Sequence, residues 1–231
     1  MLGSDSFGDG MQDSPLDRLQ AVARDAWADP VRSAHTAALA ILEMLDGDWD
    51  RPDREAVSDL RRRRADSPFI LAVTDAVLGQ EQNVGRTALL RILEQLDDPA
   101  WADEIGLRIA HRATLGVVSL GETTLAVLEA ARGSGGTAAT LFTDRRAIAR
   151  GLTYLGMMVE VAPPEEAEAV LLPVAALVGS RMWTTARAAD VALRTSLLEG
   201  EVVIVAHPLA SLSPRNRADF RPAPILIDVK M

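Results

Sequence analysis

The chain has 231 residues, 48% of them hydrophobic, 25% charged and only 4% aromatic, with a formal net charge of −9. That length buries a real core built mostly from Ala, Val, Leu and Ile, and the acidic balance disfavours nucleic acid as a partner, because duplex affinity comes mainly from Lys and Arg on phosphates. There is no cysteine, which excludes disulfides, thiolate nucleophiles and Cys-ligated zinc.

Residues 1–13 are polar and Gly-rich and are expected to be a disordered tail. They lack the basic and apolar regions of a signal peptide. The longest apolar run, Ala169 to Val178, falls far short of the ~20 residues of a membrane span, so a cytoplasmic protein without a membrane partner is expected. Ser14-Pro15 opens a first helix, with Ser as N-cap and Pro at the first helical position. Asp29-Pro30 ends it and opens a second, whose Ala34, Ala38, Ile41, Leu42 and Leu45 fall at helical spacing. Arg51-Pro52-Asp53 opens a third, running to Ala65. Ser67-Pro68 caps a fourth, Asn83 a fifth, and Asp97-Asp98-Pro99 leads into a sixth that ends near Arg112. No strand pattern interrupts this stretch, so residues 14–112 are read as a helical domain.

The texture then changes. Ala113–Val118, Thr140–Phe142, Met157–Val161, Ala169–Val174 and Val202–Ala206 read as strands, and Ile225–Val229 as a further one. Helices are expected over Gly121–Arg132, Arg145–Leu155 and Thr184–Leu198. Such alternation implies right-handed crossovers and a parallel sheet. The fold class is therefore α/β: an N-terminal helical bundle followed by a Rossmann-like parallel sheet over residues 113–231, covered by helices on both faces.

Ligands of an open parallel sheet bind past the carboxyl ends of its strands, at a switch in strand order. The segment SLGETT (119–124) joins a strand to a helix, so Ser119, Gly121 and Thr123 could cradle a phosphate or simply cap the helix. Glu122 would repel a phosphate there, and no Walker or dinucleotide motif is present. Thr143, Asp144 and Arg146 occupy the next strand-to-helix junction, where Arg146 either clamps an anion or lies solvated. Arg181 follows the fourth strand. Gly133–Gly136 is read as a helix end and turn, not a phosphate loop. The run Arg61–Arg64 is a solvated face or a contact for an acidic partner. His35, His111 and His207 stand singly, so no metal site and no cofactor are expected.

TTLAVLEAA (123–131), TLFTDRRA (140–147), MMVEVA (157–162), AVLLPVAALV (169–178) and EVVIVAHP (201–208) together resemble the initiation factor 2B alpha/beta/delta regulatory-subunit family, and SPFILAVTDAVLG (67–79) resembles its helical region. Methylthioribose-1-phosphate and ribose-1,5-bisphosphate isomerases are related to that family. The resemblance spans about residues 50–210. It matches Thr143, Asp144 and Arg146 to the family's Thr-Glu-Ser-Arg-Pro-like motif. The Gly-Ala-Asp position reads Val174-Ala175-Ala176, and the Asn-Lys-x-Gly-Thr region reads Thr184-Thr185-Ala186-Arg187-Ala188. The isomerases' Cys and Asp have no counterpart here. The resemblance thus implies a non-catalytic member, with no catalytic residue, that binds a phosphorylated sugar or nucleotide or a protein partner and forms a homodimer through its α/β half. The alternative is a diverged aldose–ketose sugar-phosphate isomerase using Glu122, Asp144 or His207, with Asp190 as a further carboxylate.

Overall fold

Pro at a helix start removes an N–H that would have no partner, and an acidic or hydroxyl side chain just before it satisfies those that remain. The first four helices use this device, and at the first of them Ser14 Oγ accepts the Asp17 N–H at 3.2 Å. The computed structural model describes residues 13–24, 29–47, 49–135, 139–224 and 226–230; the expected tail, but for Asp13, lies outside them. α1 (Pro15–Arg24) is followed by α2 (Pro30–Asp46), α3 (Arg51–Arg63) and α4 (Pro68–Asp75), and the side chains of Asp29, Asp50 and Ser67 cap α2, α3 and α4. α5 (Gln82–Asp97) starts two residues earlier than expected. Its cap position is Glu81, which makes no side-chain cap bond, and Asn83 sits inside the first turn. α6 (Ala100–Ile109) completes this half. Leu19, Ile41, Leu60, Phe69, Ile70 and Leu89 form the centre of its core.

Strands begin at β1 (Thr114–Val117), followed by α7 (Glu122–Gly133), β2 (Thr140–Phe142), α8 (Arg146–Tyr154) and β3 (Val159–Glu160). β3 is shorter than the apolar run Met157–Val161 suggested. As an edge strand it pairs only with β2, at Val159 and Glu160. β4 (Ala169–Pro173) is a continuous apolar run, as a strand buried on both faces requires. The next segment departs from expectation. Ala176–Val178 forms β5 and Arg181–Thr185 forms β6, an antiparallel hairpin, and α9 (Ala186–Leu197) starts only after it. The reason is local: in Arg181–Thr185 the burial alternates, with Met182 and Thr184 inward, and this period of two suits a strand and not a helix turn. β7 (Glu201–Val205) closes the main sheet. β8 (Leu226–Lys230) joins the hairpin in a second sheet.

The main sheet is wholly parallel with order β3-β2-β1-β4-β7; the second has order β5-β6-β8. Alternate residues divide its two faces. Leu115, Val117, Leu141, Ala169, Leu171, Val203 and Val205 face a core shared with α6, α7 and α8. Val170, Leu172 and the partly buried Val202 face the core of α9 and the hairpin. Because the chain leaves β1 in one direction through β2 and β3, and continues through β4 and β7 in the other, the switch in strand order lies between β1 and β4.

Candidate strand-end site

The carboxyl ends of β1, β2 and β4 converge on that switch, where an open parallel sheet leaves a crevice. Ser119, Leu120 and Gly121 form the turn from β1 into α7, and Gly121 is the cap residue with no side-chain cap bond of its own. The cap comes from elsewhere in the chain. Asp29 Oδ2 accepts the Glu122 N–H at 2.7 Å, while Oδ1 accepts those of Val31 at 3.0 Å and Arg32 at 3.4 Å. One carboxylate thus serves the first turns of two helices, α2 and α7, and sits where the α7 dipole favours an anion. Gly121 is required by this approach, since a Cβ there would stand 2.9 Å from Asp29 Oδ2. Glu122 itself is exposed. Partial burial of its carboxyl and the charge of Asp29 raise its pKa above the usual carboxylate range, against weaker opposing fields from Arg32 and His35. Thr123 is half-buried, and the next hydroxyl, Thr124 Oγ1, is buried without a hydrogen-bond partner.

At the neighbouring junction Thr143 is fully buried, and its Oγ1 accepts the Arg145 N–H at 3.4 Å. Asp144 is exposed and accepts a hydrogen bond from Arg187 Nη2, which projects from the first turn of α9. The Nε of Arg187 is buried and unpartnered. Arg146, the first residue of α8, is exposed and makes no ion pair with a described residue. The structure therefore brings Ser119, Gly121, Thr123, Thr143, Asp144 and Arg146 to adjoining strand ends. It places Arg181 apart from them, on β6, where Nη1 pairs with Asp228 at 3.0 Å. The physical reason is the hairpin, which carries the chain away from the end of β4 before α9 begins.

Two residues of this site were not singled out in the sequence. Arg187 falls in the first helical turn, where a cation opposes the helix dipole; that misplacement was the legible signal. Asp29 was visible as a cap for α2, but its second role depends on a contact across 93 residues that no local pattern encodes. His207 follows β7 yet does not face the crevice. It is buried against Phe69 at 5.3 Å and Trp101 at 5.1 Å between ring centroids, and its Nδ1 accepts the Leu209 N–H. Burial lowers its pKa below the ordinary value, with the Gln95 carbonyl pulling weakly the other way. Where the family resemblance expects a carboxylate, Ala176 opens β5, fully buried and apolar, and the preceding Val174 and Ala175 donate backbone N–H groups to Val205 and Trp183. Among the described residues no group of three or more His, Asp or Glu could hold a metal, and no helix is long and apolar enough to cross a membrane.

No protein-family model matches the chain, and no curated protein matches it in sequence. Solved structures do match its fold. The Pyrococcus horikoshii OT3 translation initiation factor eIF-2B superposes with a TM-score of 0.69 at 14% identity, over 89% of this chain and 83% of that one. A chain of the tetrameric eIF2B-beta2-delta2 complex from C. thermophilum gives 0.65 at 15% identity, over 96% and 89%. The 5-methylthioribose 1-phosphate isomerase of Pyrococcus horikoshii OT3 gives 0.64 at 11% identity, over 94% and 80%. The fold is thus the one shared by initiation factor 2B subunits and that isomerase, as the sequence resemblance anticipated.

Proposed function

We propose that this chain is a non-catalytic, cytoplasmic protein of initiation factor 2B subunit type that binds a phosphorylated small molecule at the β1–β4 switch. The observation that carries this reading is the pair of arginines at the crevice. Arg187 has a buried, unpartnered Nε, and Arg146 has no ion-pair partner among the described residues. A guanidinium with unused donors in a partly desolvated site favours an oxyanion. Ser119 and Thr123 would add hydroxyl donors at the turn into α7, and Gly121 and Thr143 would shape the backbone there. Asp144 would hold Arg187 in place, and Arg181 would act only through its own sheet.

The test is a thermal-shift series with inorganic phosphate, sugar phosphates and nucleotides. A ligand at 100 times its Kd adds about 2.7 kcal/mol of stability. A shift with a phosphorylated compound that is lost in Arg187→Gln and in Arg146→Ala supports the reading. Absence of any shift sinks it and leaves a protein partner as the remaining role. Assembly as a homodimer through the α/β half is supported by exposed Leu193 and Leu197 on α9, Leu198 at its C-cap, and Ile204 of the edge strand β7. Light scattering that returns a single-chain mass would refute it.

The alternative, a diverged aldose–ketose sugar-phosphate isomerase, is favoured by one feature. The raised pKa of Glu122 gives a carboxyl near the crevice some capacity to hold a proton. Conversion of an aldose phosphate that disappears in Glu122→Gln would establish it. No conversion by the wild-type protein excludes it.

A further inference from the structure

A cavity opens at the other end of the main sheet. It has a volume of about 200 Å³ and lies where β1 and β2 begin and where the chain turns into β3. Leu115 and Leu141, register partners on adjacent strands, form one wall. Leu128 and Ala131 of α7 form another, and Met157 and Met158 a third. Gly156 makes that third wall feasible, since it holds φ +74° in the turn that delivers both methionines. The cavity opens to solvent, but its lining is mainly apolar and suits apolar guests, and methionine side chains adapt to the guest's shape.

The lining contains a single charged side chain, Arg132. It lies in the last turn of α7, is exposed, and makes no ion pair with a described residue. An apolar pocket with one cation at its edge, unpaired among the described residues, selects a molecule with an apolar body and one negative end. The C-terminus of α7 also points its carbonyls this way, so a phosphate dianion is disfavoured relative to a singly charged head. Taking each carbon as about the ~30 Å³ of a liquid water, the cavity holds a chain of roughly six carbons.

We infer that this pocket binds a short aliphatic carboxylate, with its chain between α7 and the strand starts and its head on Arg132. The site is separate from the crevice and does not depend on what the crevice binds.

Calorimetric titration with straight-chain acids from acetate to octanoate, and with the matching alcohols, tests this directly. Affinity should rise about fourfold per methylene and level off near six carbons. The methyl NMR signals of Met157 and Met158 should shift and saturate, while that of Met182, on β6, stays still. Arg132→Gln should weaken the acids about fivefold and leave the alcohols unchanged. Ala131→Leu, which fills the cavity, should abolish binding; if that variant does not fold, Arg132→Gln and the methyl map decide by themselves. The inference is overturned by affinity that ignores chain length, by methyl shifts that are absent or spread over all methionines, or by an Arg132→Gln effect equal on acids and alcohols.

Discussion

Asp29 shows how much a single side chain can organise. Its two oxygens cap two helices that are far apart in sequence, and a lost cap costs about 0.5–2 kcal/mol. Asp29→Ala removes both and should lower stability by about 1–3 kcal/mol, read as a shift in the urea midpoint with unchanged slope. Asp29→Asn separates the two roles. Its one carbonyl oxygen can still cap α2, but its NH2 group cannot accept from the Glu122 N–H, so it should lose about half as much. It also removes the Asp29 charge, which adds to burial in raising the Glu122 pKa. If Asn and Ala prove equally costly, the α7 contact contributes nothing separable. Arg187 is the complementary case. Its place in the first turn of α9 gains nothing from the helix, and its contact with Asp144 compensates.

Element boundaries were legible wherever capping chemistry is local. Asp29 and Ser67 announce α2 and α4, Arg51-Pro52-Asp53 announces α3, and the parallel strands stand out as short apolar runs. What escaped was the hairpin β5–β6, because Arg181–Thr185 can be read as a helix entry until the alternating burial of its side chains is known. The crevice was legible as a place, since topology puts ligands at strand ends, but not as a set of partners, because Asp29 and Arg187 reach it from other elements. Contact between α6 and α7 was likewise invisible in sequence. Gly106, inside α6, lets the two helices meet: a Cβ there would lie 2.7 Å from Ala130 Cβ and 2.7 Å from the Ala131 nitrogen. In an open helix Gly→Ala stabilises by about 0.8–1.0 kcal/mol. Here backbone would have to move, and overpacking costs typically about 1–3 kcal/mol. Gly106→Ala should therefore destabilise, and the sign of the change in thermal midpoint decides between the two effects.

At the scale of the whole molecule, the two expected domains are stitched together by the chain that follows β7. Ala210 sits in the helical core. Arg61 bridges Asp75 and Asp219 at 2.7 and 2.8 Å, and the Arg221 N–H donates to the Ala65 carbonyl. His207 lies at the centre of this seam, between Phe69 and Trp101. Its burial disfavours the charged ring, so its folded pKa lies below the ordinary 6.5. The sign follows: above about 6.5 both folded and unfolded chains hold His207 neutral, while below it the unfolded chain takes up a proton that the folded chain resists. Stability is therefore lost as pH falls through and below that value, by at most about 1.4 kcal/mol per pH unit for one proton. Glu122 acts in the opposite sense and in a lower window. Its raised pKa favours the folded state at acid pH, and that contribution fades as pH rises through its folded value above 4.5. Urea titrations at pH 7.5, 6.5 and 5.5, followed by helical circular dichroism and by tryptophan fluorescence, test the seam. We expect the two probes to coincide at each pH, and the midpoint to fall with pH in the wild type. His207→Asn keeps an acceptor for the Leu209 N–H and has no ring to protonate, so its midpoint should fall less. A wild-type profile no steeper than that of the variant would mean that His207 does not titrate against folding, and separated probe transitions would mean that the seam does not hold the two halves as one unit.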